Sequence, residues 1–333
     1  MSVLICTALD REASGIDRVR DAIEARGGSC IVVDTGRFPS DLALALEVSN
    51  DPAATARLGG LELGGIDAVW LRHVETGATL PDTMRADHRR AATVESAVGL
   101  LSVFECLDVM IVDPPSHSAR VPAKPGQLVL ARAAGLDTPQ TLLSNDPEAV
   151  RAFAETVPGR LVCKMITSLV TVGAASASAS GPDPGAPIPT TLVSEHDLAH
   201  LDGLRHSPML FQEHLVKKRE LRITAVGHQL FVASLDSSTS ERGHVDWRLD
   251  PALTHAWQPC ELPASVTQAV HALLDRLGLE FAAIDIVHTP DDRYVFLEIN
   301  PVAYFGYIEQ ATGLAIAGAL ADLLLGRAQR RRR

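Results

Sequence analysis

The chain has 333 residues, is 46% hydrophobic and carries 41 acidic against 30 basic residues, a formal net charge of −11. That length allows two or three domains, each with a core of its own. The acidic balance, with an isoelectric point near 5.5, argues against a general nucleic-acid surface.

Met1 leads directly into "SVLICTAL", a short buried strand with no basic segment ahead of it, so no signal peptide is expected. "GIDRVRDAIEARGG" reads as a helix stopped by Gly27 and Gly28, and "CIVVDT" as a second strand. "IDAVWLRH" is another strand, and a long helix runs from about Thr83 to Cys106 before "VMIVDPP". This alternation predicts a small α/β domain over residues 1–118 with a mostly parallel sheet. No G-x-G-x-x-G follows its first strand, which leaves a dinucleotide site little support. The apolar stretches near Leu100 and Leu320 are broken by Glu105, Asp108 and Asp322 and are too short to span a bilayer. Cys6, Cys30, Cys106, Cys163 and Cys260 show no C-x-x-C spacing and read as reduced thiols. A soluble, cytoplasmic protein with neither membrane nor nucleic acid as partner is expected.

From Lys124 the pattern changes. Helices "GQLVLARAAG" and "DPEAVRAFAET" alternate with strands "TLLS" and "RLVCKMI" in a predicted second unit, residues 119–208. Thr171 to Ile188 is dominated by Gly, Ala, Ser and Pro, and a loop of that composition between strands reads as a lid. In residues 209–328, "ELRITAVGHQLFVASLD" and "AAIDIVHTPDDRYVFLEIN" read as two hairpins, turning at Gly227-His228 and at Asp291-Asp292. A helix from about Ala264 to Leu277 separates them from one another, and a last helix ends near Leu325. Residues 329–333 form a basic tail, read as a solvated end.

Chemistry concentrates in the second hairpin. Side chains alternate along a strand, so Glu298 and Asn300 share one face, and a two-residue turn would set Asp285 opposite Glu298. Three oxygen donors without His or Cys describe a hard-cation site of the kind magnesium uses, one or two carboxylates with room for water and phosphate. The alternative is a solvated sheet face carrying ordinary acids. Lysine is rare, four residues against 26 arginines, and Lys164 lies in the apolar strand "LVCKMI" where an unpaired ammonium is costly. Opposite a phosphate at about 4 Å it would gain roughly 4 kcal/mol before desolvation. A lysine snorkelling from a strand end is the competing reading. Lys124 precedes a helix and is a weaker phosphate candidate. Glu220 and Arg222 share a strand face, as an ordinary ion pair or as contacts to ribose hydroxyls and an anion.

The order of these features (lysine, strand lysine, long loop, F-Q-E, E-L-R, I-D-I, L-E-I-N-P) resembles the ATP-grasp superfamily. "DTGRFP", "DWR" and "EINPV" narrow the resemblance to the ligases of microviridin and other graspetides, over nearly the whole chain. The resemblance implies an α/β (α+β) ATP-grasp fold behind an N-terminal Rossmann-like pre-ATP-grasp domain. It implies ATP and magnesium as cofactors, with Lys124 and Lys164 on the phosphates, Gln212, Glu213, His214 and Leu215 around adenine, and Glu220 on ribose. It also places Asp285, Glu298 and Asn300 on magnesium and makes Arg222, with Lys164, the catalytic cation. The implied partner is a ribosomal precursor peptide, leader plus core, and a homodimer is expected. "SEHDLAHLDGL" reads as a helix capped by Ser194, with Asp197 three residues on. The resemblance implies that Glu195 or Asp197 docks a basic residue of the leader.

The implied reaction activates Asp or Glu side chains of the precursor as acyl phosphates and joins them to Thr or Ser hydroxyls, or Lys amines, of the same peptide. Two rivals stand beside it: a ligase that adds a free amino acid to a protein or small peptide, and a nucleotide-binding protein without ligase activity. Two departures bear on substrate choice. Ala303-Tyr304 follows Val302 where relatives commonly have Gly-Glu, and Asp292 stands where the turn commonly has glycine.

Overall fold

The computed structural model describes residues 1–48, 55–166, 190–238, 240–241 and 243–331, without the side chains of residues 10–14. The expected lid, Thr171 to Ile188, lies outside the described residues.

The N-terminal part is built on strand β1 (Ser2–Thr7), helix α1 (Leu9–Ala25) and β2 (Ser29–Asp34). Gly27, at φ +78°, follows the end of α1 in a backbone region that side-chain-bearing residues avoid. Three strands that the sequence did not reveal follow, β3 (Leu44–Glu47), β4 (Thr55–Leu58) and β5 (Leu61–Glu62), in a small antiparallel sheet. Next come β6 (Ala68–Leu71), helix α2 (Ala86–Glu105), β7 (Met110–Val112) and the short α3 (Pro115–Ser118). β2, β1, β6 and β7 form a sheet in that order, all parallel, as the alternating sequence predicts. Its two faces are both covered. Val3 and Ile5 pack with Ile16, Val19 and Ile23 of α1, while Leu4 and Cys6 pack with Leu100, Val103 and Phe104 of α2.

The middle part holds α4 (Lys124–Ala133), β8 (Thr141–Ser144), α5 (Pro147–Thr156), β9 (Leu161–Lys164), β10 (Thr191–Leu192), α6 (Glu195–Ala199) and β11 (Met209–Glu213). Its sheet runs β10-β9-β11-β8, antiparallel throughout. The last part contributes β12 (Arg219–Val226), β13 (Gln229–Leu235), β14 (Gln258–Pro259), α7 (Ala264–Leu277), β15 (Phe281–His288), β16 (Tyr294–Asn300), α8 (Gly306–Thr312) and α9 (Ile316–Leu324). These strands form a five-stranded antiparallel sheet, β14-β13-β12-β15-β16.

One face of this last sheet is mostly apolar. Leu221, Ile223, Ala225, Ile284 and Ile286 pack against α7 and α4. The opposite face is divided. Val226 and Phe281 at one end, with Ala233 and Leu235 along β13, join α1, α9 and the parallel sheet in a single apolar core that runs between the N-terminal and C-terminal parts. Toward the other end the same face carries Arg222, Asp285 and Glu298. A sheet face that stops being hydrophobic halfway along has been left open for something polar.

The C-terminal tail departs from expectation. Arg331 is 3% exposed, its N–H donates to both carboxylate oxygens of Glu280 at 3.1 Å, and its Nη1 lies 2.6 Å from Asp275 Oδ1. Buried Glu280 and exposed Asp275 on the body of the protein hold Arg331 in place, which composition alone does not show. Among the described residues no helix is long and apolar enough to cross a membrane.

Candidate active site

The site grows from one cross-strand row. β12 and β15 pair so that Arg222 faces Asp285, and β15 and β16 pair so that Asp285 faces Glu298. The expected neighbours therefore meet, but by a different route from a two-residue turn. The turn is one residue longer: Thr289 N–H donates to Arg293 O, and His288 faces Tyr294. Left alone, that register would set Leu297 opposite Asp285 and turn Glu298 into the core. A bulge between Asp285 and Ile286 absorbs the extra residue. Phe296 and Ile299 consequently both reach the apolar core, three positions apart, while Leu297 and Glu298 both line the cleft. Asp292 supports the turn at φ +61°, a conformation that Asp tolerates better than most residues. Lys218 Nζ and His288 Nε2 hold its carboxylate at 3.0 and 2.8 Å.

Around the row, charge is balanced closely. Arg222 Nη1 lies 2.7 Å from Asp285 Oδ1, Lys124 Nζ is 3.3 Å from Glu298 Oε2, and Arg248 Nη2 reaches Asp285 Oδ2 at 3.8 Å and Glu298 Oε1 at 3.6 Å. Burial works against both charges of the Arg222–Asp285 pair. Their attraction prevails, holding the guanidinium above its ordinary pKa and, with help from Arg248, the carboxyl below its own. Arg248 stands on a loop whose turn is capped by Asp246, and its guanidinium lies 5.8 Å over the Trp247 ring.

This row lines one wall of an open cleft of about 950 Å³. The facing wall comes from the middle sheet and carries Lys164. Burial and the nearby Lys124 push the Lys164 ammonium down to about 8, with Glu298 pulling the other way. Gln212, Glu213, His214 and Leu215 line the cleft as expected. The N–H groups of Glu213 and His214 are already donated, to Gln140 O and Arg160 O, so the hinge offers a base its carbonyls and the Leu215 N–H. Burial, followed by Lys217 and other cations, lowers the His214 pKa. Glu220 also lines the cleft. Its Oε1 accepts from Lys217 Nζ at 2.9 Å and from Ser237 Oγ at 2.5 Å, leaving Oε2 for a ligand hydroxyl.

Four predicted residues stand apart. Arg222 is buried and does not line the cleft. Asn300 is exposed, two residues beyond Glu298 on the same face, and its Oδ1 accepts from Val302 N–H at 3.0 Å. Glu195 and Asp197 lie outside the cleft on α6, where Asp197 Oδ2 accepts from Ser194 N–H at 2.8 Å and closes a capping box. Sequence reasoning missed Arg248, Trp247 and Lys217 as cleft residues. "DWR" contained two of them but offered no periodicity to aim them, and Lys217 was one of only four lysines.

Among the described residues no three His, Cys, Asp or Glu side chains cluster as a metal site. Two facing carboxylates and one amide oxygen nevertheless suit magnesium, which takes few protein ligands and completes its shell with phosphate and water. The carboxylates of Asp285 and Glu298 now meet Lys and Arg side chains. A hard cation would compete for the same oxygens.

Comparison with known proteins accords with this geometry. Residues 2–119 match the family model described as the MvdD pre-ATP grasp domain. The macrocyclase MdnC from Microcystis aeruginosa MRC, solved with precursor peptide MdnA, is 34% identical with a TM-score of 0.83 over 98% of this chain and 100% of that one. A RiPP-associated ATP-grasp ligase from Chryseobacterium gregarium, solved with ADP and a leader and core peptide, is 30% identical with a TM-score of 0.89 over 100% and 98%. β-Citrylglutamate synthase B of Danio rerio is 30% identical over 132 residues, 39% of this chain but only 31% of the synthase.

Proposed function

This chain belongs to the ATP-grasp ligases that modify ribosomal precursor peptides, and on that premise we propose that it closes side-chain links within such a peptide. It uses ATP and magnesium and releases ADP and phosphate. The observation that carries this reading is the row Arg222–Asp285–Glu298, flanked by Lys124 and Arg248 and facing Lys164 across one cleft. That set places oxygen donors for a cation beside cations for phosphates.

In the proposed reaction an Asp or Glu carboxylate of the peptide attacks the γ-phosphorus of ATP, the bond to the bridging oxygen breaks, and ADP leaves. The acyl phosphate then meets a Thr or Ser hydroxyl of the same peptide. The hydroxyl oxygen bonds the acyl carbon, the bond from that carbon to the phosphate oxygen breaks with its electron pair leaving on phosphate, and the hydroxyl proton passes to phosphate or solvent. Lys124 and Lys164 hold the phosphates and Gln212–Leu215 the base, while Glu220 Oε2 takes a ribose hydroxyl. Arg248 offers its guanidinium from the cleft, and Arg222 keeps Asp285 ionised from behind it. Such fixed charges act on charge that develops during transfer. Asp285, Glu298 and Asn300 would hold magnesium, which when bound withdraws electron density from the phosphate oxygens. An acceptor already tethered to the acyl phosphate gains effective concentration, so no second substrate is needed. The homodimer and the unit boundaries at about residues 118 and 208 stand as further proposals, open to sedimentation and limited proteolysis.

Mass spectrometry of the partner peptide after incubation with ATP and magnesium tests the reading. The peptide is expected to lose one water per link, with ADP and phosphate formed, and the links are expected to be esters that mild base hydrolyses. A gain of one residue mass would identify an amino-acid ligase instead. AMP and pyrophosphate would rule out the acyl phosphate, and water loss surviving both Lys164→Ala and Glu298→Ala would move the chemistry elsewhere.

A further inference from the structure

Arg72 belongs to the N-terminal parallel-sheet unit, yet its side chain reaches across to the strand end that bears Asn300. Its backbone is fixed where β6 ends: Arg72 N–H donates to Cys6 O and His73 O accepts from Ala8 N–H, both at 2.9 Å. The side chain is 2% exposed, with its guanidinium 5.2 Å from the Trp70 ring and 5.4 Å from the Phe281 ring. From there Nη1 donates to Ala303 O at 3.0 Å. The next carbonyl, Tyr304 O, accepts from Arg222 Nη2 at 3.3 Å. Two guanidiniums from different parts of the molecule thus grip successive carbonyls of the segment leaving β16. Ala303 and Phe305 are buried beneath it, and the Tyr304 ring stacks on His73 at 4.5 Å.

That segment also orients Asn300. The Val302 N–H, one residue before the gripped carbonyl, donates to Asn300 Oδ1. An amide oxygen has two lone pairs, so one remains for a cation while the backbone aims it. Asn300 is exposed, and its side-chain oxygen is tied to the Val302 N–H, so its direction follows where residues 302–304 are held.

We propose that Arg72 is a positioning residue for the magnesium site: by holding Ala303 O it fixes the Asn300 oxygen, so that the N-terminal unit sets metal affinity. This inference rests on the proposed assignment of Asn300 as a ligand. A guanidinium serving only as an interdomain strut would, on removal, weaken every ligand of the cleft alike. A positioning residue weakens the metal alone. Outer partners of metal ligands commonly change affinity by about 10- to 100-fold.

The test uses Mn(II) as the probe. Free Mn(II) is followed by electron paramagnetic resonance during titration of the full chain with the non-hydrolysable analogue AMP-PNP, and analogue binding is measured separately in EDTA by calorimetry. Arg72→Met is expected to weaken Mn(II) binding about tenfold while leaving metal-free nucleotide affinity unchanged. Arg72→Lys, which keeps a cation and one donor between the two rings, is expected to fall between it and the parent. It also supplies the measurement if Arg72→Met does not fold. Asn300→Ala separates the two readings. If it weakens Mn(II) binding and the folded Arg72 variants do not, the role of Arg72 is overturned and the site assignment stands. An unchanged Asn300→Ala removes the ligand assignment, and the inference falls with it. Equal loss of metal and nucleotide binding in the Arg72 variants would make Arg72 a strut.

Discussion

Lys164 holds its charge against both burial and a neighbouring lysine, which brings its pKa down to about 8. In the proposed site phosphate binds the ammonium, so nucleotide binding is expected to raise that pKa again. The sign follows: below about 8 the lysine is already charged, and above it ATP must bring a proton with it. Affinity is therefore expected to fall as pH rises through about 8, with proton uptake on binding near pH 8–9. Calorimetry in two buffers of different ionisation heat measures the uptake, and Lys164→Arg, which stays charged, is expected to abolish it. No uptake by the parent chain would remove Lys164 from the phosphates. Lys164 was readable from sequence because a rare residue sat in an apolar strand, and Asp285 and Glu298 because alternation paired them. Arg248 was not, since it reaches the acids from an irregular loop between β13 and β14, where no period relates a residue's number to its direction. Asn300 was placed on the right face, but its tie to Val302 depends on backbone geometry beyond the strand.

At the scale of elements, strands of six residues or more and helices of nine or more were legible, and α7 runs over the expected Ala264–Leu277, whereas the seven-residue α8 was not foreseen. β3, β4 and β5, of four, four and two residues, were too short to show a period. The bulge in β16 did leave a trace: its core residues Tyr294, Phe296 and Ile299 are spaced two and then three apart. A strict two-residue period passes over that change, and the assumed turn reached the same Asp285–Glu298 partners through compensating differences. α6 shows the converse, a correct element whose residue roles the structure separates. Asp197 accepts from both the N–H and the hydroxyl of Ser194, and those bonds lower its pKa. Glu195 stays exposed on the same first turn. Glu195→Lys is thus expected to weaken precursor-leader binding with α6 intact. Asp197→Lys is expected to speed amide exchange over residues 195–199 before any peptide is added. Unchanged leader affinity in Glu195→Lys, measured by fluorescence anisotropy, would exclude docking through this acid.

Across the whole molecule, the chain end completes a buried charge cluster. Asp113 accepts N–H bonds from Glu280 and Phe281 at 2.7 and 3.0 Å, and Glu280 in turn receives Arg331. Burial raises the Asp113 carboxyl to about 7, with Arg331 among the groups opposing the rise. The folded form therefore keeps a proton that the unfolded chain has lost. The contribution of Asp113 to stability is greatest below the unfolded pKa near 4, declines toward pH 7 and is level beyond it. Removing residues 329–333 is expected to cost about 3 kcal/mol, since buried Glu280 loses the Arg331 N–H and the Arg330 guanidinium at 3.7 Å. It is also expected to extend the decline above pH 7, since Asp113 then rises further. Urea denaturation of both forms at about pH 6 and pH 8 measures this, and equal stability would return the tail to solvent. The shared core has a consequence in time. Val3, Ile5 and Trp70 leave the ribosome early, yet Phe281, Phe305 and α9, which cover them, are among the last residues made. At ordinary synthesis rates, the roughly 230 residues between Arg72 and Ala303 take roughly 10 to 50 s to appear. Throughout that interval α1 alone shields this face, and the apolar surface that Phe281, Phe305 and α9 later cover stays open to solvent and to chaperones. The chain is therefore most exposed to aggregation while it is being made, and its core closes only when its second half follows its first.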